Sequence, residues 1–229
     1  MQADSVSIWR KLVAGSHARR TRLHDELGET VSLSRLLRNA PQAVWTSARA
    51  GLTGQRPNRP WISYDGQAVL AGFLTPQSKV LEFGSGMSTL WYARHAGQVV
   101  SIESDHAWFG MIGDRISQQP NVDYRFADTL EGYIAAAPEQ LYDLIMIDGR
   151  WRDSCADFAM RHLAPGGVIY LDNADKSDNP YNGSVPRARA DLQAFARDNG
   201  LPIRRFTDFA PCQMTANLGL MIGGPAAGI

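Results

Sequence analysis

Glu82 stands two residues before a glycine turn in Val80-Leu81-Glu82-Phe83-Gly84-Ser85-Gly86-Met87-Ser88-Thr89, and this segment combines several groups able to hold a nucleoside-like ligand. Glycine lets the backbone turn tightly and approach a ligand closely, while the free amides of a following helix favour a negative or polar group. Gly84 and Gly86 are therefore both expected to be intolerant of a side chain, with Ser85 and Ser88 supplying hydroxyls. A dinucleotide-binding turn asks for a third glycine where this chain has Thr89. The Glu82 carboxylate would repel a pyrophosphate but attract an ammonium, which points to a cofactor carrying an amino acid, S-adenosylmethionine.

Four more acidic positions follow short apolar runs. Glu103 closes Val99-Val100-Ser101-Ile102-Glu103, with Ser104 next, and its two oxygens suit the two hydroxyls of a ribose. Asp128 follows Tyr124-Arg125-Phe126-Ala127 and suits an adenine amine, although either acid taken singly also reads as a helix cap. Asp148 ends Leu144-Ile145-Met146-Ile147, and Asp172-Asn173 ends Val168-Ile169-Tyr170-Leu171. Neighbouring strands lie about 4.8 Å apart, so Asp148, Asp172 and Asn173 are placed to converge on one magnesium ion. The competing reading gives Asp148 to the cofactor pocket and makes Asp172-Asn173 a loop cap.

These groups need elements to carry them. From residue 65 onward, helical patterns alternate with β-branched runs, as in a parallel sheet with crossover helices. The expected strands are 79–83, 99–103, 122–126, 143–147 and 167–171, followed by an amphipathic helix through Val185, Ala188, Leu192 and Ala196. Two further strands, 203–209 and 217–222, are short-linked and so antiparallel. Ligands bind at the carboxyl ends of such strands, near the switch in strand order. Before residue 60 the spacing of Val31, Leu33, Leu36 and Leu37, then Val44 and Trp45, predicts two to four helices. Residues 51–60, rich in glycine and proline, form a loop, which divides the chain into a helical cap (1–60) and a cofactor domain (61–229).

The turn, Glu103, Asp128 and Asp148 occur in the order found in class I S-adenosylmethionine-dependent methyltransferases, which the segment from Ser63 to Asn173 resembles. That resemblance implies a Rossmann-like, seven-stranded, mostly parallel sheet with helices on both faces. Ser63-Tyr64-Asp65-Gly66-Gln67 is similar to the segment preceding the first strand in caffeoyl-coenzyme A O-methyltransferases, which implies a role for Ser63 in closing over the cofactor. The Asp148, then Asp172-Asn173, pattern resembles catechol, caffeoyl-coenzyme A and sugar O-methyltransferases, implying magnesium beneath an acceptor hydroxyl. Catechol-type enzymes place a lysine base where this chain has Trp151, so Asp148 itself is the expected proton acceptor, as in the sugar-modifying branch. Arg150 and Trp151 are expected to face the acceptor. A metal-independent N- or C-methyltransferase and a nicotinamide-dependent oxidoreductase are the alternatives.

Composition sets outer bounds. Apolar residues make up 44% and charged residues 20%, as in ordinary globular proteins. Lys plus Arg balances Asp plus Glu at 23 each, which supplies no overall field for nucleic acid; a small-molecule acceptor is expected instead. The basic run His17-Ala18-Arg19-Arg20-Thr21-Arg22 reads as a solvated helix face. Two cysteines and the absence of a leader pattern or long apolar run predict a cytoplasmic protein off the membrane. His95, His106 and His162 fall in helical patterns and receive no role, and a homo-oligomer is left open.

Overall fold

Buried positions alternate along the parallel strands, and that alternation divides the core into two layers. In the computed structural model, which describes residues 14–16 and 18–224, the strands are β3 (Lys79–Phe83), β4 (Gln98–Glu103), β5 (Val122–Phe126), β6 (Tyr142–Ile147) and β7 (Leu163–Leu171). Leu81, Phe83, Val100, Ile102, Ile145 and Ile147 face one layer, closed by Tyr133, Phe158 and Leu192. Val80, Val99, Leu144, Met146 and Tyr170 face the other, closed by Leu70 and Tyr92. Strands covered on both faces read as continuous apolar runs, which is why they stand out in the sequence.

Antiparallel strands β8 (Ile203–Ala210) and β9 (Gln213–Gly223) complete one sheet of seven, in the order β5-β4-β3-β6-β7-β9-β8. β3 pairs in parallel with β4 on one side and β6 on the other, so the chain direction across the sheet reverses there. The strand ends are stitched in series: Gly84 N donates to Ile102 O (2.9 Å), Asp148 N to Phe83 O (2.9 Å) and Asp172 N to Ile147 O (3.0 Å).

The helices that serve this switch point are α2 (Tyr64–Phe73), α3 (Met87–His95), α4 (His106–Ile116), α5 (Leu130–Ala135), α6 (Arg152–His162) and α7 (Val185–Asp198). Side chains cap several of them, with Ser63, Asp105, Thr129 and Ser184 each accepting from a backbone amide of the first turn.

The N-terminal segment differs from expectation. Its described part holds a single helix, α1 (Leu33–Thr53), and a two-stranded hairpin, β1 (Ala14–Ser16) with β2 (Arg19–Thr21). Pro41 does not end α1 but lies inside it, and the helix continues to a left-handed cap at Gly54. Arg19 and Arg20 belong to a strand, not a helix face; Arg19 is nearly buried and donates to Asn217 (2.6 Å) and Asp175 (3.4 Å). Tertiary ion pairing has overridden the local charge pattern. The helical expectation for residues 1–13, and the reading of that start as leaderless, lie outside the described residues. No described helix is long and apolar enough to cross a membrane.

The two glycines of the turn are not equivalent. Gly84 has φ +95°, and a Cβ there would lie 2.5 Å from Gly149 N and 2.6 Å from its Cα. Gly86 is extended at φ 178°, and a Cβ there would meet nothing closer than 3.5 Å. On backbone grounds, therefore, Gly84 demands glycine and Gly86 does not. Gly84→Ala should cost at least about 2 kcal/mol through strain and backbone collision, while Gly86→Ala should leave the fold intact. Urea denaturation of both variants checks this, and equal midpoints would refute it.

Candidate functional site

Glu82 occupies a strand position whose side chain enters the α2–α3 layer, where neighbours in alternation are apolar. It is fully buried and accepts from three hydroxyls: Thr89 (2.6 Å), Ser101 (2.6 Å) and Ser88, the last very short. Burial outweighs these donors and pushes its pKa up to about 7. Thr89 also accepts from Gly86 N (3.1 Å), so it locks the turn to the carboxylate. In sequence Thr89 served only to disfavour a dinucleotide, and its positive role went unrecognised.

Glu103, at the end of β4, is held from the other side of the turn. Ser85 donates from its amide (3.2 Å) and hydroxyl (2.8 Å) to one oxygen, and the amides of Ser104 and Asp105 donate to the other, both at 2.7 Å. A carboxylate oxygen has lone pairs for further donors, and the Ser85 hydroxyl can yield its place to a ligand hydroxyl. Trp108 on α4 donates its indole N–H to Ser85 O (2.9 Å), a contact with no local sequence signature.

These groups surround a cavity of about 350 Å³ where β3, β4 and β6 end. Gly84, Ser85, Glu103, Ser104 and Asp148 line it, as expected, and Arg150 and the loop residue Tyr181 form its rim. Other expected residues stand elsewhere. Asp128 is exposed beyond β5, Ser63 caps α2 by accepting from Gly66 N (2.8 Å), and neither lines the cavity. Trp151 packs against Tyr133, with Arg150 across its ring at 4.4 Å, so it supports the rim from behind. Its left-handed backbone (φ 48°) starts α6.

Arg152 has a part at the site that its sequence position does not signal. It is buried at the cavity wall, with Nε donating to Gly149 O (3.0 Å) and Nη2 to Asp148 Oδ1 (3.2 Å). Its Nη1 donates to Asp172 O in a very short bond. Asp148 and Asp172 are joined by a side-chain hydrogen bond, and desolvation raises both, Asp172 well above the carboxylate range. Asp172 is raised further by the Asp148 charge, and the Arg152 guanidinium opposes the shift on both. Asp148 keeps 36% of its side-chain surface open to the cavity beside the guanidinium.

This arrangement does not fit the magnesium expected at Asp148, Asp172 and Asn173. A fixed, buried guanidinium already donates to an Asp148 oxygen and to the Asp172 carbonyl, so a divalent cation there would stand against a positive charge that cannot leave. Asn173 lies in a left-handed turn at φ 47°. Among the described residues no group of three or more His, Cys, Asp or Glu is placed to hold an ion.

The fold is that of the class I S-adenosylmethionine-dependent methyltransferases. The chain is similar to the crystal structure of an O-methyltransferase of tomaymycin synthesis from Streptomyces achromogenes in complex with SAM, with TM-score 0.51 and 18% identity over 80% of this chain and 90% of that one. It is also similar to an N-methyltransferase from Bradyrhizobium japonicum, with TM-score 0.50 and 15% identity over 85% and 99% of the two chains. A methyltransferase from Pyrococcus furiosus gives TM-score 0.50 and 18% identity over 83% and 100%. In sequence, 65 residues are 37% identical to ribosomal RNA small subunit methyltransferase A of Thermotoga maritima, spanning 28% of this chain and only 23% of that protein. No family model matches.

The raised pKa of Glu82 has a stability signature. Between its ordinary value of 4.5 and about 7 the folded chain binds a proton that the unfolded chain has released. Stability contributed by this proton is complete below pH 4.5, falls as pH rises through that window, and changes no further above it. The loss is roughly 3 kcal/mol in all. Glu82→Gln should remove this slope, so the difference in urea stability between wild type and variant should change steeply between pH 5 and 7. A difference independent of pH would place Glu82 in a solvated setting.

Proposed function

We propose that the protein is an S-adenosylmethionine-dependent methyltransferase that acts on a hydroxyl of a small molecule without a bound metal. The observation that carries the reading is the cavity at the reversal of strand order, where the glycine turn, the Glu103 carboxylate and Asp148 meet. Its volume of about 350 Å³ lies in the range of small-molecule sites. The cofactor, when bound, supplies an electrophilic methyl group on a sulfonium.

The residues divide the work by charge. Glu103 faces the cavity with oxygens for a diol, and Glu82, at the base of the turn, favours an ammonium nearby. Asp148 stands at the opposite wall. Arg152 donates to its Oδ1 and favours its ionised form. Asp148 is thereby set to orient an acceptor hydroxyl and take its proton as the methyl moves to the oxygen, leaving S-adenosylhomocysteine. Orientation of this kind can supply about 7–11 kcal/mol of the barrier. The unpaired thiols of Cys155 and Cys212 suit a reducing cytoplasm.

Two measurements test the reading. Glu103→Ala should weaken S-adenosylhomocysteine binding at least about tenfold in calorimetry, since hydrogen bonds to a charged group are worth about 1.5–3 kcal/mol; unchanged affinity removes Glu103 from the cofactor site. With methyl-labelled cofactor and a panel of catechols, sugars and amines, transfer should persist in EDTA and fall about 100-fold or more in Asp148→Asn. Activity lost in EDTA and restored by magnesium would overturn the metal-free mechanism, and transfer to amines alone would move the reading to nitrogen.

A further inference from the structure

A second concentration of charge lies on the far side of Trp108 from the cofactor cavity. There a cleft of about 990 Å³ opens between α1, the loop after it, α3 and α4. Five arginines line it: Arg49 from α1, Arg56 and Arg59 from the loop, Arg94 from α3 and Arg115 from α4. No acidic residue is among its lining residues.

What sets these arginines apart is their concentration around one cleft with no carboxylate in its lining. Several guanidinium groups elsewhere meet carboxylates, as Arg35 does with Asp65, Arg125 with Asp123, Arg152 with Asp148, and Arg187 with Asp153, Asp157 and Asp191. In the cleft the hydrogen-bond and ring partners are neutral. Arg49 donates to Gln55 (3.2 Å), Arg115 to Asn58 (3.2 Å) and to the Met87 sulfur (3.5 Å), and Arg56 lies over the Trp61 ring at 4.7 Å. Neutral acceptors and ring faces orient a guanidinium without cancelling its charge. Among the described residues none of the five forms a salt bridge, in a chain whose formal charge sums to zero.

The walls between these charges are apolar and aromatic. Trp45 and Met111 are both about two-thirds exposed, and Trp108 forms the partition shared with the cofactor cavity. Arginine forks match phosphate oxygens two at a time, and exposed indoles offer faces for a planar ring. The cavity on the opposite side of the partition mixes Glu103, Asp105 and Asp148 with Arg150 and Arg152, whereas the cleft is lined by arginines without any carboxylate. Phosphate groups therefore find the more uniformly positive lining in the cleft.

We propose that this cleft binds a small ligand carrying two or more phosphate groups, at a site separate from the cofactor cavity. The inference is independent of the transfer chemistry above, because it rests on α1, the 54–59 loop and the outer faces of α3 and α4.

Calorimetry on the full chain, saturated with S-adenosylhomocysteine, tests it with inorganic tripolyphosphate as the probe. Saturable one-to-one binding is expected, weakening as KCl rises. The double variant Arg94→Ala/Arg115→Ala should lose at least tenfold in tripolyphosphate affinity while binding S-adenosylhomocysteine as wild type does, which also reports that it is folded. Absence of binding, or binding insensitive to the double substitution, overturns the proposal. So does competition between tripolyphosphate and S-adenosylhomocysteine, which would place the phosphates in the cofactor cavity. Tighter binding of oligothymidylates with increasing length would assign the cleft to a nucleic-acid strand and overturn the small-ligand assignment. Failure of S-adenosylhomocysteine to bind any form of the protein would count against the methyltransferase reading alone, because tripolyphosphate can be titrated without it.

Discussion

At Gly84 the backbone leaving β3 presses against the backbone leaving β6 so closely that no side chain fits between them. Everything at the site depends on that approach. It brings the amide of Gly84 to β4 and the amide of Asp148 to β3, so three adjacent strands end in one hydrogen-bonded line. Gly149 sits on the other side of the contact, packed against Gly84 and the Tyr133 hydroxyl. The Glu103, turn and Asp148 groups are consequently fixed by backbone, and their side chains need little freedom to form a ligand-sized space. Buried carboxylates then hold the surroundings in place. Glu82 gathers hydroxyls from the strand beside it and the helix after it, while Glu103 gathers the turn and the first amides beyond β4.

Charge is sorted on a finer scale than the neutral composition suggests. Carboxylates concentrate at the strand ends, and guanidinium groups without carboxylate partners concentrate beyond Trp108. Arg150 on the rim and Arg152 within the acidic group join the two populations, and Arg152 is the buried one. Truncating one partner of such a group leaves a charge stranded in low dielectric, which costs more than the pair contributes when intact. Asp148, Asp172 and Arg152 are therefore best regarded as one electrostatic unit, with a shared response to whatever enters the cavity.

Most of the sheet was legible in the sequence because parallel strands buried on both faces leave unbroken apolar runs that end in Gly, Asp or Glu. β3 and β5 begin and end where those runs do, and β7 is longer than expected because Leu163–Gly166 pair irregularly beside β6. The glycine turn, Glu103 and Asp148 followed from their strand-end positions. What was hidden depends on distant partners. The β1–β2 hairpin is short, polar and without alternation, and it is recognisable only through Asp175 and Asn217, which hold Arg19. Arg152 has the same residue type as Arg150 two positions earlier, and only the turn at Trp151 sends one inward and the other to the rim. Asp128 and Ser63 occupied convincing places in sequence order, yet that order carries no information about which way a loop leaves its strand.

The placement of β9 between β7 and β8 has a consequence for how the chain is made. β8 pairs with no strand except β9, and the N-terminal hairpin and α1 rest on residues 207–217 and Asp175. During synthesis on a ribosome the five parallel strands can assemble in order as they emerge. The described hairpin and α1 find some partners early, since Arg35 and Asn39 meet Asp65, but their contacts with residues 207–217 wait until β8 and β9 have followed. Long-range closure of this kind is slow, and part of the apolar surface of α1 stays uncovered while it waits. Docking of the hairpin and α1 is therefore completed late, and α1 depends on protection from aggregation until β8 and β9 are in place.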